Sequence, residues 1–91
     1  MRRAARIDQN HTQVVKALEA IGCSVYSSAG LGGGFPDLVV ARAKNTVLVE
    51  IKAGAKKKLT PAQQAFWLRW TGRIIRADSA AEAVSKVLRE T

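Results

Sequence analysis

The chain has 91 residues, which predicts one domain with a small core. Fifteen Lys and Arg against seven Asp and Glu give a formal net charge of +8, which indicates a polyanionic partner such as nucleic acid rather than a small-molecule substrate. No apolar run approaches the roughly 18 residues that span a bilayer, so no membrane is expected. The lone Cys23 excludes an intramolecular disulfide and indicates a reducing, cytoplasmic setting.

The first part of the sequence predicts a basic arm and a helix. Residues 1–8 are rich in arginine and are expected to form a mobile N-terminal arm. Apolar residues recurring every three or four positions predict a helix over residues 10–22, which Gly22 ends. The arm contains three candidate DNA contacts, namely Arg2, Arg3 and Arg6.

A glycine-rich loop and two apolar strands come next. A weak strand over residues 23–27 leads into the loop, and runs rich in Val and Leu predict strands over residues 37–42 and 46–52. The connection between these two strands is so short that they must form an antiparallel hairpin. The bare backbone N–H groups of the loop are candidates for contact with a DNA phosphate, at Gly32, Gly33 and Gly34.

Three charged residues interrupt the two apolar strands of this hairpin. Because strand side chains alternate between faces, Asp37, Glu50 and Lys52 share one face in two hairpin registers. With the turn at residues 44–45 Asp37 faces Lys52, and with the turn at residues 43–44 it faces Glu50. Two carboxylates this close repel each other unless they share a cation, and oxygen ligands of this kind suit Mg²⁺. A metal ion with a lysine beside it suits phosphodiester hydrolysis.

The rest of the sequence predicts a basic loop, a helix, a strand and a last helix. Thr60 and Gln63 form a capping box around Pro61, and Gly72 is expected to stop the helix that begins there. A strand over residues 73–76 and a helix over residues 79–90 follow, the latter opened by a second capping box of Ser79 and Glu82. The basic loop contributes three more candidate DNA contacts, Lys56, Lys57 and Lys58.

The element order predicts an α/β fold. A helical crossover between the third and fourth strands implies a parallel, right-handed connection, whereas the hairpin is antiparallel. The α-β-β-β-α-β-α order therefore predicts a mixed four-stranded sheet flanked by helices. The second helix carries Phe66, Trp67, Leu68 and Trp70 and is apolar nearly all round. One face is expected to pack on the sheet and another on a partner subunit, which predicts a homodimer.

The sequence resembles a known nuclease family. The segments "FPDLVV" and "VLVEIK" resemble the PD-(D/E)xK motif, and with "K-L-T-P-x-Q" after them and "D-x-N" before the first helix they resemble the VRR-NUC branch, its small phage-encoded members in particular. The resemblance runs from about Asp8 to about Val87, so residues 1–91 are expected to form one VRR-NUC-type domain. It implies a restriction-endonuclease-like αβββαβα core and a Mg²⁺- or Mn²⁺-dependent endonuclease.

The resemblance also implies roles for individual residues. Asp37 and Glu50 match metal ligands, the backbone carbonyl of Ile51 matches a third ligand, and Lys52 matches the catalytic lysine.

Two glutamines have open roles. Gln13 stands where many relatives carry a glutamate that joins the metal site; its amide oxygen can accept from a metal-bound water but adds no charge. Gln63 matches a glutamine common after the motif, and it equally closes the capping box.

Three functions are consistent with these observations. The leading one is a structure-selective homodimer that cuts branched DNA, as small Holliday-junction-resolvase-like members do. A nuclease for flaps or nicks, acting as a monomer or with a helicase partner, is an alternative. The third is a DNA-binding module that keeps the fold without catalysis.

Overall fold

The computed structural model describes the backbone of residues 4–91 and the side chains of residues 10–91. It has the predicted element order and contains a mixed four-stranded sheet. Arg2 and Arg3, with the side chain of Arg6, lie outside the described part of the chain. The elements are α1 (Ala4–Ala20), β1 (Ser24–Ser27), β2 (Leu38–Arg42), β3 (Asn45–Ile51), α2 (Pro61–Arg69), β4 (Arg73–Ala77) and α3 (Ala80–Glu90).

The sheet places β3 in its interior. The strand order is β1-β2-β3-β4, with antiparallel β1–β2 and β2–β3 pairs and a parallel β3–β4 pair. Helices α1 and α3 pack on each other and on one sheet face. Aliphatic side chains from both helices and from three strands fill this layer, which is the main core of the described residues. Its fully buried members include Val14, Leu18, Leu38, Val40, Val47, Val49 and Val87.

The β2–β3 turn decides between the two predicted registers. Ala43 and Lys44 both have positive φ, at 52° and 69°, as a two-residue type I′ turn requires. Arg42 pairs with Asn45 across this turn, and the ladder continues to the pair of Leu38 and Val49. The turn therefore lies at residues 43–44, the register predicted to bring Asp37 to Glu50.

Helix α1 begins earlier than the sequence predicted. It starts at Ala4 rather than at residue 10, so the backbone of residues 4–8, which were expected to belong to a mobile arm, is helical. Alanine and arginine are strong helix formers, and the apolar periodicity that placed the predicted start gives no weight to such residues.

The predicted end of α2 was wrong. The helix ends at Arg69 because Trp70 has an extended backbone, and the Trp70 N–H still donates to the carbonyl of Phe66. Gly72 lies beyond the helix end.

The second capping box is half formed. Oγ of Ser79 accepts from the Glu82 N–H at 3.1 Å, but the Glu82 carboxylate accepts from the N–H of Asp78 instead of that of Ser79.

No helix among residues 4–91 is long and apolar enough to cross a membrane.

Candidate active site

Two carboxylates meet on the sheet face opposite the core. Glu50 follows Val49 on β3 and therefore points away from the core layer; it is only 2% exposed. Asp37 lies just before β2, where its N–H donates to the Val49 carbonyl at 3.1 Å. Oδ2 of Asp37 accepts a hydrogen bond from the Ile51 N–H at 2.8 Å. This side-chain bond replaces a ladder bond and holds the Asp37 carboxylate beside Glu50.

The environment of Glu50 disfavours a bare negative charge. Burial, and next the charge of Asp37, raise the pKa of Glu50 from 4.5 to about 7, against the opposing effect of Lys52. Oε1 of Glu50 is buried and has no hydrogen-bond partner among the described residues. A buried, unsatisfied carboxylate oxygen next to a second carboxylate fits a divalent cation.

A backbone carbonyl at this point also has no hydrogen-bond donor among the described residues. Within a strand the N–H and C=O of one residue point to the same side, so the Ile51 carbonyl points toward Asp37, as its N–H does. The segment before β2 offers it no donor: the Phe35 N–H bonds Gly32, Pro36 has no N–H, and the Asp37 N–H bonds Val49. The Ile51 carbonyl is therefore available on the side where the carboxylates lie.

Gln63 joins the lysine to one of the carboxylates. Lys52 directly follows β3, and its Nζ donates to Oε1 of Gln63 at 2.8 Å and lies 3.7 Å from Oε2 of Glu50. Nε2 of Gln63 donates to the same Glu50 oxygen at 3.1 Å. The amide thus fixes the ammonium group and one Glu50 oxygen and leaves the other Glu50 oxygen free.

Gln63 also closes the predicted capping box. Its Oε1 accepts from the Thr60 N–H at 2.8 Å, and its own N–H donates to Oγ1 of Thr60 at 3.2 Å. The capping role predicted for Gln63 is therefore present, and the same side chain also bonds Lys52 and Glu50.

The comparison with solved structures identifies the fold. A structure described as "VRR_NUC domain" is similar to this chain, with a TM-score of 0.71 and 22% sequence identity, covering 89% of this chain and 92% of the other. The chain has the fold of a VRR_NUC domain. The predicted resemblance is thus confirmed at the level of the fold, including the restriction-endonuclease-like arrangement of helices and strands. No protein-family model and no curated protein matches the sequence.

Within this VRR_NUC fold, the glycine-rich loop packs against α2. Gly34 has φ of 85°, and a Cβ on it would collide with the Ala62 carbonyl in the first turn of the helix. Gly32 and Gly33 also have positive φ but are exposed, with open space where a Cβ would stand. Gly34 therefore sets how closely the loop approaches α2, and DNA contact by the three glycines stays a prediction.

Two residues that the sequence analysis did not assign support the site. Nδ2 of Asn10 on α1 donates to the Lys52 carbonyl at 3.3 Å. Arg76 pairs with Glu50 in the β3–β4 register, and its Nη2 donates to the Gly54 carbonyl at 2.8 Å. Asn10 belongs to the "D-x-N" segment, which was a sequence signal for it. No sequence pattern indicated Arg76, because its contact with Gly54 depends on the parallel pairing of strands that are distant in sequence.

Other predicted site residues make no side-chain hydrogen bond to this cluster among residues 10–91. Gln13 is exposed, and its side chain makes no hydrogen bond to these residues. Lys56, Lys57 and Lys58 are exposed in the loop that leaves Lys52. Within the described residues no group of three or more His, Cys, Asp and Glu could hold a metal ion.

Proposed function

We propose that this protein is a metal-dependent DNA endonuclease that hydrolyses phosphodiester bonds in branched DNA. The observation that carries the proposal is the cluster of Asp37, Glu50 and Lys52, in which one buried Glu50 oxygen is unsatisfied. Such an arrangement is costly for folding unless a ligand completes it. The similarity to a VRR_NUC domain supports the same chemistry.

The cation would be Mg²⁺ or Mn²⁺. The carboxylates of Asp37 and Glu50 and the carbonyl of Ile51 would hold it, and the amide of Gln13 would accept a hydrogen bond from water at the site. When bound, such an ion polarises a phosphate and lowers the pKa of a coordinated water.

Lys52 contributes a positive charge that is present whether or not a metal ion is bound. Its Nζ donates to Oε1 of Gln63 at 2.8 Å, which fixes the ammonium group beside the carboxylate pair. A fixed ammonium in this place stabilises the negative charge that builds up on the phosphate oxygens during attack. Gln63 acts as the positioning residue for Lys52.

Basic side chains and backbone N–H groups hold the DNA backbone. The exposed Lys56, Lys57 and Lys58 leave the site directly after Lys52, and the N-terminal residues Arg2, Arg3 and Arg6 add a second basic segment. Backbone N–H groups of Gly32, Gly33 and Gly34 would meet a phosphate. Contacts of this kind position DNA without reading its sequence and weaken as salt rises.

A homodimer explains how one small domain would act on a branched substrate. Leu68 on α2 is 88% exposed, and α2 has no fully buried residue, so this helix offers apolar surface to a second copy. A four-way junction is close to two-fold symmetric, and a chain with one site makes two symmetric cuts only by pairing. The free, buried thiol of Cys23 is in keeping with a reducing cytoplasm.

The test is cleavage of an end-labelled four-way junction, a flap and a linear duplex, with and without Mg²⁺, together with the mass of the protein in solution. We expect symmetric paired cuts in the junction, a dimer mass, and no cleavage without a divalent ion. Asp37→Asn and Glu50→Gln should abolish cleavage, whereas Glu19→Gln, which removes a charge from an exposed position of α1, should cut at the wild-type rate. Wild-type rates in either site variant would show that the site is misassigned.

A second candidate function is a DNA-binding module without catalysis. The observation that favours it is Gln13, which leaves two acidic ligands where many relatives have three. It predicts salt-sensitive binding to junctions and no product in Mg²⁺ or Mn²⁺, so the same experiment separates the two. Cuts in the flap alone by a protein of monomer mass would instead favour a flap or nick nuclease.

A further inference from the structure

A groove lies on the sheet face that also carries Glu50. It has a volume of about 790 Å³, which is within the ~300–1,000 Å³ common for ligand pockets. Leu48 on β3 and Ile74 on β4 are register partners and form its floor. Trp70 forms a wall, and Lys44 and Arg73 lie on the rim. None of these residues has a role in the proposed chemistry.

The groove has a fixed position relative to Glu50. Thr46 and Leu48 line it and have the same strand parity as Glu50, so they face the same side of β3. At about 3.3 Å per residue, Leu48 lies ~7 Å and Thr46 ~13 Å along the strand from Glu50. This corresponds to roughly two to four nucleotides at the 3.4 Å rise of a duplex strand, fewer if the strand is extended. DNA whose phosphate lies at Glu50 can therefore reach the groove.

The wall of the groove is a preorganised aromatic ring. The indole of Trp70 stacks on Phe66, with ring centroids 5.4 Å apart and an interplanar angle of 22°. Its Nε1 donates to the Arg73 carbonyl at 3.3 Å, and its edge lies so close to Gly72 that a Cβ there would come within 2.9 Å of Nε1. Although it is held in this way, Trp70 remains 39% exposed. A rigid, exposed indole is a platform on which a base can stack at little entropic cost.

The rim of the groove carries positive charge, which can pair with a phosphate. Lys44 and Arg73 are exposed, and neither is in an ion pair among the described side chains. Glu90 lies on the same rim and is outnumbered by these two cations. An apolar floor, an aromatic wall and an unpaired basic rim match a base with its phosphate. A second protein copy would meet a net positive charge here, duplicated by the two-fold axis, which disfavours that occupant.

We propose that this groove binds an unpaired nucleotide next to the branch point of the DNA substrate, with the base stacked on Trp70 and its phosphate between Lys44 and Arg73. The inference rests on the proposed function and narrows its substrate to branches that have unpaired nucleotides. Paired bases cannot enter the groove, because their faces are already stacked within the duplex.

The first test measures binding in EDTA, where no cleavage occurs. The probes are a fully paired four-way junction and the same junction with two unpaired nucleotides at the branch. Fluorescence anisotropy measures the binding of each. We expect the wild type to bind the second junction more tightly. Trp70→Ala should remove this preference. It should weaken binding to the junction with unpaired nucleotides roughly tenfold and leave binding to the fully paired junction unchanged. Trp70→Phe, which keeps an aromatic face, should retain most of it.

The matched control is Leu88→Ala. Leu88 is on α3 and is 42% exposed, close to the exposure of Trp70, but it does not line the groove, so the preference should persist. An unpaired 2-aminopurine at the branch should lose fluorescence on binding the wild type and much less on binding Trp70→Ala. A preference that survives Trp70→Ala, or an equal loss of affinity for both junctions, would overturn the proposal. A lower mass in solution for Trp70→Ala would overturn it too, because the groove would then be an interface between copies.

The outcomes separate this inference from the proposed function. A Trp70-dependent preference in EDTA without any cleavage in Mg²⁺ or Mn²⁺ would refute the nuclease and keep the groove as a nucleotide site. Cleavage of junctions in Mg²⁺ at equal rates by the wild type and Trp70→Ala, without a binding preference, would refute only the groove.

Discussion

The amide oxygen of Gln63 accepts a hydrogen bond from Nζ of Lys52 at 2.8 Å. The same oxygen accepts from the Thr60 N–H that begins α2, so one side chain both starts a helix and orients the charged group beside it. Helix α2 has no fully buried residue, and its position depends on such polar contacts more than on burial. The cap of α2 is therefore part of the candidate active site.

This coupling predicts different effects for the two members of the capping box. Gln63→Ala and Thr60→Ala each remove one half of the cap, which costs about 1 kcal/mol of folding stability. Only Gln63→Ala also releases Lys52 and Glu50, so it should lower the cleavage rate more than tenfold while Thr60→Ala stays near the wild type. Thermal unfolding and single-turnover cleavage at saturating Mg²⁺ measure the two effects. Equal rates for both variants would mean that Gln63 acts only as a cap.

The burial of Glu50 predicts a stability that falls with rising pH when no divalent ion is present. The pKa of Glu50 is about 7 in the folded protein and 4.5 in the unfolded chain. Between these values the folded state keeps a proton that the unfolded state has lost, so stability falls as pH rises from about 4.5 to about 7 and then levels off. Glu50→Gln should flatten this change. Melting temperatures in EDTA from pH 4 to 9 test it, and identical profiles would contradict it.

The same proton competes with a metal ion. Since a cation binds the ionised carboxylate, Mn²⁺ affinity should increase as pH rises through about 7 and change little above pH 8. Calorimetric titration of the wild type with Mn²⁺ in the absence of DNA measures this. Glu50→Gln should bind Mn²⁺ weakly at every pH; wild-type affinity in this variant would exclude Glu50 as a ligand.

The hairpin shows how far the sequence could predict the site. Strand alternation was enough to put Asp37, Glu50 and Lys52 on one face, but it left two registers open. The choice depended on Ala43 and Lys44 adopting positive φ, which is unfavourable for both residue types and gives no sequence signal. The ladder then brings Asp37 to Ile51 and Glu50, as the second register required.

Other features were beyond sequence reasoning because they depend on tertiary contacts. The capping motif identified Gln63, but its bonds to Lys52 and Glu50 require α2 to cross over the sheet. Arg76 reaches the loop after β3 only through the parallel β3–β4 pair. The start of α1 at Ala4 was missed because the segment Ala4–Arg6 shows no apolar period in the sequence.

Asp37 has a structural role that does not depend on its negative charge. Its Oδ2 accepts from the Ile51 N–H, and the amide oxygen of an asparagine can accept the same bond. Asp37→Asn should therefore fold with wild-type stability or slightly above, since it also removes repulsion with Glu50, yet it should not cleave DNA. Asp37→Ala should lose about 1–3 kcal/mol, because the Ile51 N–H is left without an acceptor. Chemical denaturation distinguishes the three proteins, and equal stability of the two variants would refute this role of the bond.

The contact between Gly34 and α2 gives the last prediction, for which the loop supplies its own control. Gly33 and Gly34 have φ of 65° and 85°, so an alanine costs about 1 kcal/mol of backbone strain at either position. At Gly33 the new methyl group meets open space, whereas at Gly34 it collides with the Ala62 carbonyl. Gly34→Ala must therefore push α2 away from the sheet and carry Gln63 with it. It should lose clearly more stability than Gly33→Ala and cleave at least tenfold more slowly, as judged by denaturation and by cleavage at a temperature where both remain folded. If the two variants behave alike, α2 is not held in place by this contact, and the link between the loop and Lys52 is absent.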